Sequence, residues 1–151
     1  MNRQLNTLEL QLILKRLPEL RHIVCKIYGG IHAADQLHDI ETYPKALIVN
    51  TDPIEKPGQH WVAIFFEDKN RACYFDSFGE RPNKTISNYL KNIKTIYYNT
   101  EQVQPDNSYL CGLYCVFFLR LMAKRVPYSS ILSRFSRENL KRNDRLVLNQ
   151  F

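Results

Sequence analysis

The stretch DNSYLCGLYCVFFLRLMA, residues 106–123, places polar capping candidates ahead of about a dozen mostly apolar positions and stops shortly before Pro127. A segment apolar on every side, yet short of the roughly 20 residues a membrane crossing needs, predicts a helix buried at the centre of a soluble domain. Upstream of it, HWVAIFF (60–66) and RACYFD (71–76) are β-branched and aromatic runs flanking the polar turn EDKN (67–70), which predicts an antiparallel hairpin. KALIVN (45–50) predicts a further buried strand, followed by a surface loop from Thr51 through Pro53 to Pro57 and Gly58. Ile86, Tyr89, Leu90 and Ile93 fall at the spacing of an amphipathic helix over 85–94, and Ile96-Tyr97-Tyr98 reads as another strand. Thr7 caps a helix reaching about Arg16 and ended by Pro18. Residues 129–135 and 138–148 read as short cationic helices with Ile131, Leu132, Phe135 and Leu140 inward. Helix, strands, helix, strand, helices, without an internal repeat or boundary, argue an α+β fold in a single domain over 1–151.

The 151 residues carry 21 Lys and Arg against 15 Asp and Glu, a net charge of +6, and 44% are hydrophobic. Five glycines, no heptads and ample apolar content exclude collagen, coiled coil and disorder. The four cysteines, Cys25, Cys73, Cys111 and Cys115, are too sparse for a disulfide scaffold and read as reduced thiols. The start MNRQLNTLELQLILKRL is interrupted by Glu9, Gln11 and Lys15, unlike a secretory leader, so an intracellular protein that is not secreted is expected. Charge is uneven: residues 1–76 net −1 and residues 77–151 net +7. Arg120, Lys124, Arg125, Arg134, Arg137, Lys141 and Arg142 are the candidate nucleic-acid contacts. Such a cluster suits a phosphate backbone through counterion release, and equally a solvated helical face.

Chemistry enters through the hairpin. With its turn centred between Asp68 and Lys69, His60 faces Ser77 and Trp61 faces Asp76; a slip of one residue sets His60 opposite Asp76. A carboxylate beside a histidine fixes the ring's tautomer and stabilises imidazolium, as in a general base and its orienter, whereas a strand-end His near an acid is also an ordinary surface feature. Cys111 falls in the first turn of the apolar helix, where unpaired N–H groups favour thiolate; such cysteines have pKa values of about 3.5–7.5. Gly112 leaves its approach unobstructed. Cys115, one turn deeper, reads as a buried hydrophobe, as do Cys25 and Cys73. A zinc site from Cys111, Cys115, His60 and Cys73 lacks any C-x-x-C pair, so no metal is expected. Gln104, seven residues before Cys111, offers a side-chain amide to an oxyanion.

Taken together, His60-Trp61, the block Tyr74-Phe75-Asp76-Ser77-Phe78-Gly79, and Gln104 ahead of Cys111-Gly112-Leu113-Tyr114-Cys115 resemble the adenovirus endopeptidase (adenain) family of cysteine proteases. The likeness covers about 90 residues, from Tyr28 to Leu119. Residues 46–51 resemble the strand before that family's histidine, and residues 30–37 resemble a segment in proteases of Polinton-type transposons and adintoviruses. The resemblance implies a papain-like, adenain-like fold with a mixed or antiparallel sheet flanked by helices. It implies Cys111 as nucleophile, His60 as base, Asp76 as orienter and Gln104 as oxyanion donor. Trp61, next to the base, and Gly112 are expected to line the substrate cleft, although plain core packing suits a strand Trp at least as well. The resemblance also implies an endopeptidase, needing no cofactor, that matures viral or transposon structural precursors at Gly-Gly or Gly-X-type sites, in the host nucleus or cytoplasm and the virion. Two departures stand out. Adenain has Glu where this chain has Asp76, and residues 85–103 lack the cysteine that could tether an activating peptide there, while DNA assistance stays open. Rival expectations are a protease of ubiquitin-like modifiers and a catalytically silent nucleic-acid-binding module. A monomer is expected, with no membrane association. Ile27-Tyr28-Gly29-Gly30 looks like a cleavage site, although a glycine turn explains it more simply.

Overall fold

Helix α1 (Thr7–Arg16) opens on a capping box: the Asn6 side chain accepts from Glu9 N–H, and the Glu9 carboxylate accepts from Asn6 N–H. Asn6, not Thr7, is therefore the cap. Pro18 does not simply end the helical region. It occupies the first position of a second short helix, α2 (Pro18–Arg21), where its missing N–H costs nothing. This computed structural model describes residues 3–24, 30–52 and 60–151. Cys25, the Ile27-Tyr28-Gly29 part of the cleavage-like segment, and the Pro53–Gly58 part of the expected loop lie outside the described residues.

After β1 (Ile31–Ala33) come β2 (Lys45–Asn50), β3 (Trp61–Asp68) and β4 (Arg71–Phe75), then α3 (Lys84–Leu90), β5 (Thr95–Tyr98), α4 (Cys111–Ala123), α5 (Tyr128–Ser133) and α6 (Leu140–Leu148). The five strands form one mixed sheet in sequence order. The outer pairs β1–β2 and β4–β5 are parallel and the inner pairs antiparallel. Strand β1, only three residues long, has no periodic signal in the sequence. Helix α3 stops short of the expected Lys94 because the chain must turn to bring Thr95 beside Arg71, where Thr95 N–H donates to Asn70 O at 2.8 Å.

Both faces of the sheet are covered, which is why KALIVN is apolar without alternation. On one face Ala46, Ile48, Ala63, Phe65, Cys73 and Phe75 pack against α1 and α4, with Phe75 and Phe118 stacked at 4.8 Å and 7°. On the other, Leu47, Val49, Val62, Ile64, Phe66 and Tyr74 meet Ile86 and Leu90 of α3. Leu140, expected inward, is only partly buried; in α6 the buried positions are Asn143 and Val147. None of the described helices is long and apolar enough to cross a membrane.

The hairpin register corrects the expected one. Ala63 pairs with Phe75 and Phe66 with Ala72, whereas Asp68 pairs with Arg71. The tight turn is Lys69-Asn70, one residue later than expected, and the irregularity between Phe66 and Asp68 puts an extra residue, Glu67, in β3. Asp76 thus lies beyond the end of β4 and His60 just before β3 begins.

Candidate active site

Because both residues sit outside the ladder, their meeting depends on the turn after β4. Asp76 N–H donates to Asn99 Oδ1 at 2.9 Å, and Asn99 Nδ2 donates back to Asp76 O at 2.5 Å, so a buried amide clamps the peptide of the acid. Phe78 N–H donates to Asp76 Oδ1 at 2.8 Å and Gly79 N–H to Asp76 O at 2.8 Å. Gly79 has φ +70°, and a Cβ there would stand 2.6 Å from the Glu101 carbonyl carbon; only glycine fits both conditions. The turn presents Asp76, 3% exposed, to the imidazole, with His60 Nε2 2.6 Å from Asp76 Oδ1. Phe78 stacks on the ring at 4.8 Å and 27°, fixing its plane.

With Nε2 committed to the acid, the other ring nitrogen, Nδ1, is buried and makes no hydrogen bond among the described residues. Burial opposes charge on this ring. The hydrogen bond with Asp76, the charge of that carboxylate and the nearness of Cys111 outweigh that cost and raise His60 to about 9. The ring thus answers to both Asp76 and Cys111. Cys111 is the first residue of α4, whose opening N–H groups have no intrahelical acceptor, its own among them. Its thiol is 1% exposed, and solvent meets the pair through His60, whose side chain keeps 13% exposure. Burial pushes Cys73 up to about 12 and Cys115 well above the ordinary thiol range, as befits packing residues. Among the described residues no group of three His, Cys, Asp or Glu side chains could hold a metal ion.

Gln104 is 1% exposed. Its Nε2 donates to Ser108 O at 2.9 Å, and its Oε1 accepts from Ser77 Oγ at 2.5 Å. One amide hydrogen remains uncommitted. The loop that follows is tied to α6. Asn143 Nδ2 donates to Val103 O at 2.8 Å, and Asp144 Oδ1 accepts from Ser108 Oγ at 3.0 Å and Tyr114 Oη at 2.7 Å. A hollow of about 440 Å³ opens beside it, bounded by Pro105, Tyr109, Leu110, Lys141 and Leu148.

The structure gives Trp61 and Gly112 a packing role. Trp61 is 4% exposed and its indole N–H donates to Leu5 O at 2.9 Å. A Cβ on Gly112 would reach 3.0 Å from Leu10 Cδ2 and 3.4 Å from Trp61 Cδ1, so this glycine lets α4 close on α1 and β3. Two of the candidate phosphate contacts are already paired. Arg120 meets Glu19 at 2.5 Å and Arg137 meets Glu101, while Lys124, Arg125, Arg134, Lys141 and Arg142 are exposed.

A family model described as adenovirus endoprotease matches residues 39–133, a span that contains His60, Asp76, Gln104 and Cys111. The chain belongs to the adenovirus endoprotease family. Among its relatives, a protein of Acanthamoeba polyphaga mimivirus bearing the name of a thiol protease is 33% identical over 73% of this chain and 39% of its own length. The protease of Bovine adenovirus 4 is 32% identical over 67% of this chain and 61% of its own. The crystal structure of the African swine fever virus pS273R protease superposes with a TM-score of 0.70, covering 93% of this chain and 65% of that one at 17% identity, a likeness of fold. The chain thus spans less than two thirds of the length of these curated relatives, from 39% to 61%.

Proposed function

We propose that this chain is a cysteine endopeptidase in which Cys111 is the nucleophile, His60 the proton carrier, Asp76 its orienter and Gln104 an oxyanion donor. The observation that carries the reading is His60 bonded to Asp76 at 2.6 Å with Cys111 close enough to help raise the ring to about 9. At neutral pH such a ring is imidazolium, the natural counter-charge to a thiolate. Cys111 Sγ attacks the scissile carbonyl carbon, and the π pair moves to oxygen, held by the Cys111 N–H and the spare Gln104 amide hydrogen. Collapse expels the amine, which takes the proton from His60 Nδ1. Water then attacks the thioester while His60 takes its proton, freeing the acid product and restoring the pair. No step asks for a cofactor.

Family membership supports viral or mobile-element structural precursors as substrates, cut at Gly-Gly or Gly-X-type sites in the infected cell or the virion. The exposed Lys124, Arg125, Arg134, Lys141 and Arg142 support DNA as an accessory partner. Purified protein should hydrolyse a fluorogenic Leu-x-Gly-Gly peptide, and Cys111→Ala should abolish turnover while leaving DNA binding intact. Equal residual hydrolysis by wild type and Cys111→Ala would sink the assignment.

A further inference from the structure

Gln104 can stabilise an oxyanion only if its amide presents nitrogen, not oxygen, to the crevice, and a glutamine amide reads almost the same either way round. Two contacts decide it. Ser108 contributes a carbonyl, which can only accept, so Nε2 must face it at 2.9 Å. Ser77 contributes a hydroxyl whose donated proton meets Oε1 at 2.5 Å. Ser77 and Gln104 are each 1% exposed, so water cannot replace either partner. Ser77 O also accepts from both Val103 N–H at 2.9 Å and Gln104 N–H at 3.0 Å, fixing the backbone that carries the amide. Ser77 directly follows Asp76, whose peptide Asn99 clamps.

We propose that Ser77 is a positioning residue for the oxyanion donor: its hydroxyl locks the Gln104 amide with nitrogen forward, while its neighbour Asp76 aligns the base. This rests on the protease reading above. Without the hydroxyl the amide is held by one bond instead of two and Oε1 is buried unpaired.

The test separates oxyanion stabilisation from thiolate reactivity. Acetyl-Leu-Ala-Gly-glycinal is attacked by Cys111 Sγ, forming an S–C bond and moving the carbonyl π pair to an oxygen that needs the donors. Iodoacetamide alkylation forms an S–C bond with loss of iodide and needs none. Ser77→Ala should bind the aldehyde about 10–100-fold more weakly and lose kcat by a similar factor, with KM little changed. Its alkylation rate and pH profile should stay within about twofold of wild type, within the additivity expected of separate functions. Unchanged aldehyde affinity, or affinity and alkylation falling together, would overturn the role. If wild type hydrolyses the peptide and Cys111→Ala does not, such a failure concerns Ser77 alone; a wild type without Cys111-dependent hydrolysis sinks the protease reading itself.

Discussion

His60 carries the pH behaviour of the site. Its value of about 9 lies above the 6.5 of a free imidazole, so its charged form stabilises the fold fully below pH 6.5, and that contribution fades as pH rises through 9. Activity that needs imidazolium should therefore fall on the alkaline side near pH 9. Asp76→Asn removes an acceptor and a charge 2.6 Å from Nε2, and should move that alkaline limb down by about one to two units. It should also lower kcat/KM by about 10²-fold or more. A pH–rate profile of both proteins, with thermal melts at pH 6 and 9.5, checks this; an unmoved alkaline limb would exclude Asp76 as the orienter.

Among the elements, the turn 76–79 does most to assemble the site. Gly79→Ala combines a left-handed φ with a Cβ 2.6 Å from backbone, and should cost about 2–4 kcal/mol in urea unfolding and lower turnover with it. A variant as stable as wild type would show that the turn can be rebuilt. Strands β2 to β5 and the central helix were legible because apolar runs and periodicity report burial directly, whereas three-residue β1 was not. Cys111 and His60 stand out in the sequence because their residue types can bear the chemistry. The register was not legible. Composition does not show an extra residue in β3, and the polar turn reads alike whether centred before or after Lys69. Asn99, Ser77 and the Asn143-Asp144 pair escaped for another reason: each acts through its contacts with chain distant in sequence, and a polar residue at the end of an element carries no mark of what it will hold. The cationic run suggested seven interchangeable charges, and only pairing with Glu19 and Glu101 set Arg120 and Arg137 apart.

At the scale of the molecule, α1 is part of the core that seats α4. Leu14, 1% exposed, packs there with Leu10, and Leu14→Ala should cost about 2–5 kcal/mol by denaturant titration. A cost below about 1 kcal/mol would mean α1 is dispensable to the core. On α6, Lys141→Ala and Arg142→Ala should each lower the slope of log affinity against log salt for duplex DNA by about 0.9, while Arg120→Ala should leave it unchanged. Anisotropy titrations at several salt concentrations decide this, and equal slopes for all three variants would remove DNA from the account. The closing helix has a consequence of its own. Asn143 and Asp144 grip the segment bearing Gln104 from a point late in the chain. An emerging polypeptide therefore holds the proposed nucleophile, base and acid some thirty residues before the latch that steadies the segment bearing Gln104. Under the proposed reading, proteolytic competence would then await completion of α6.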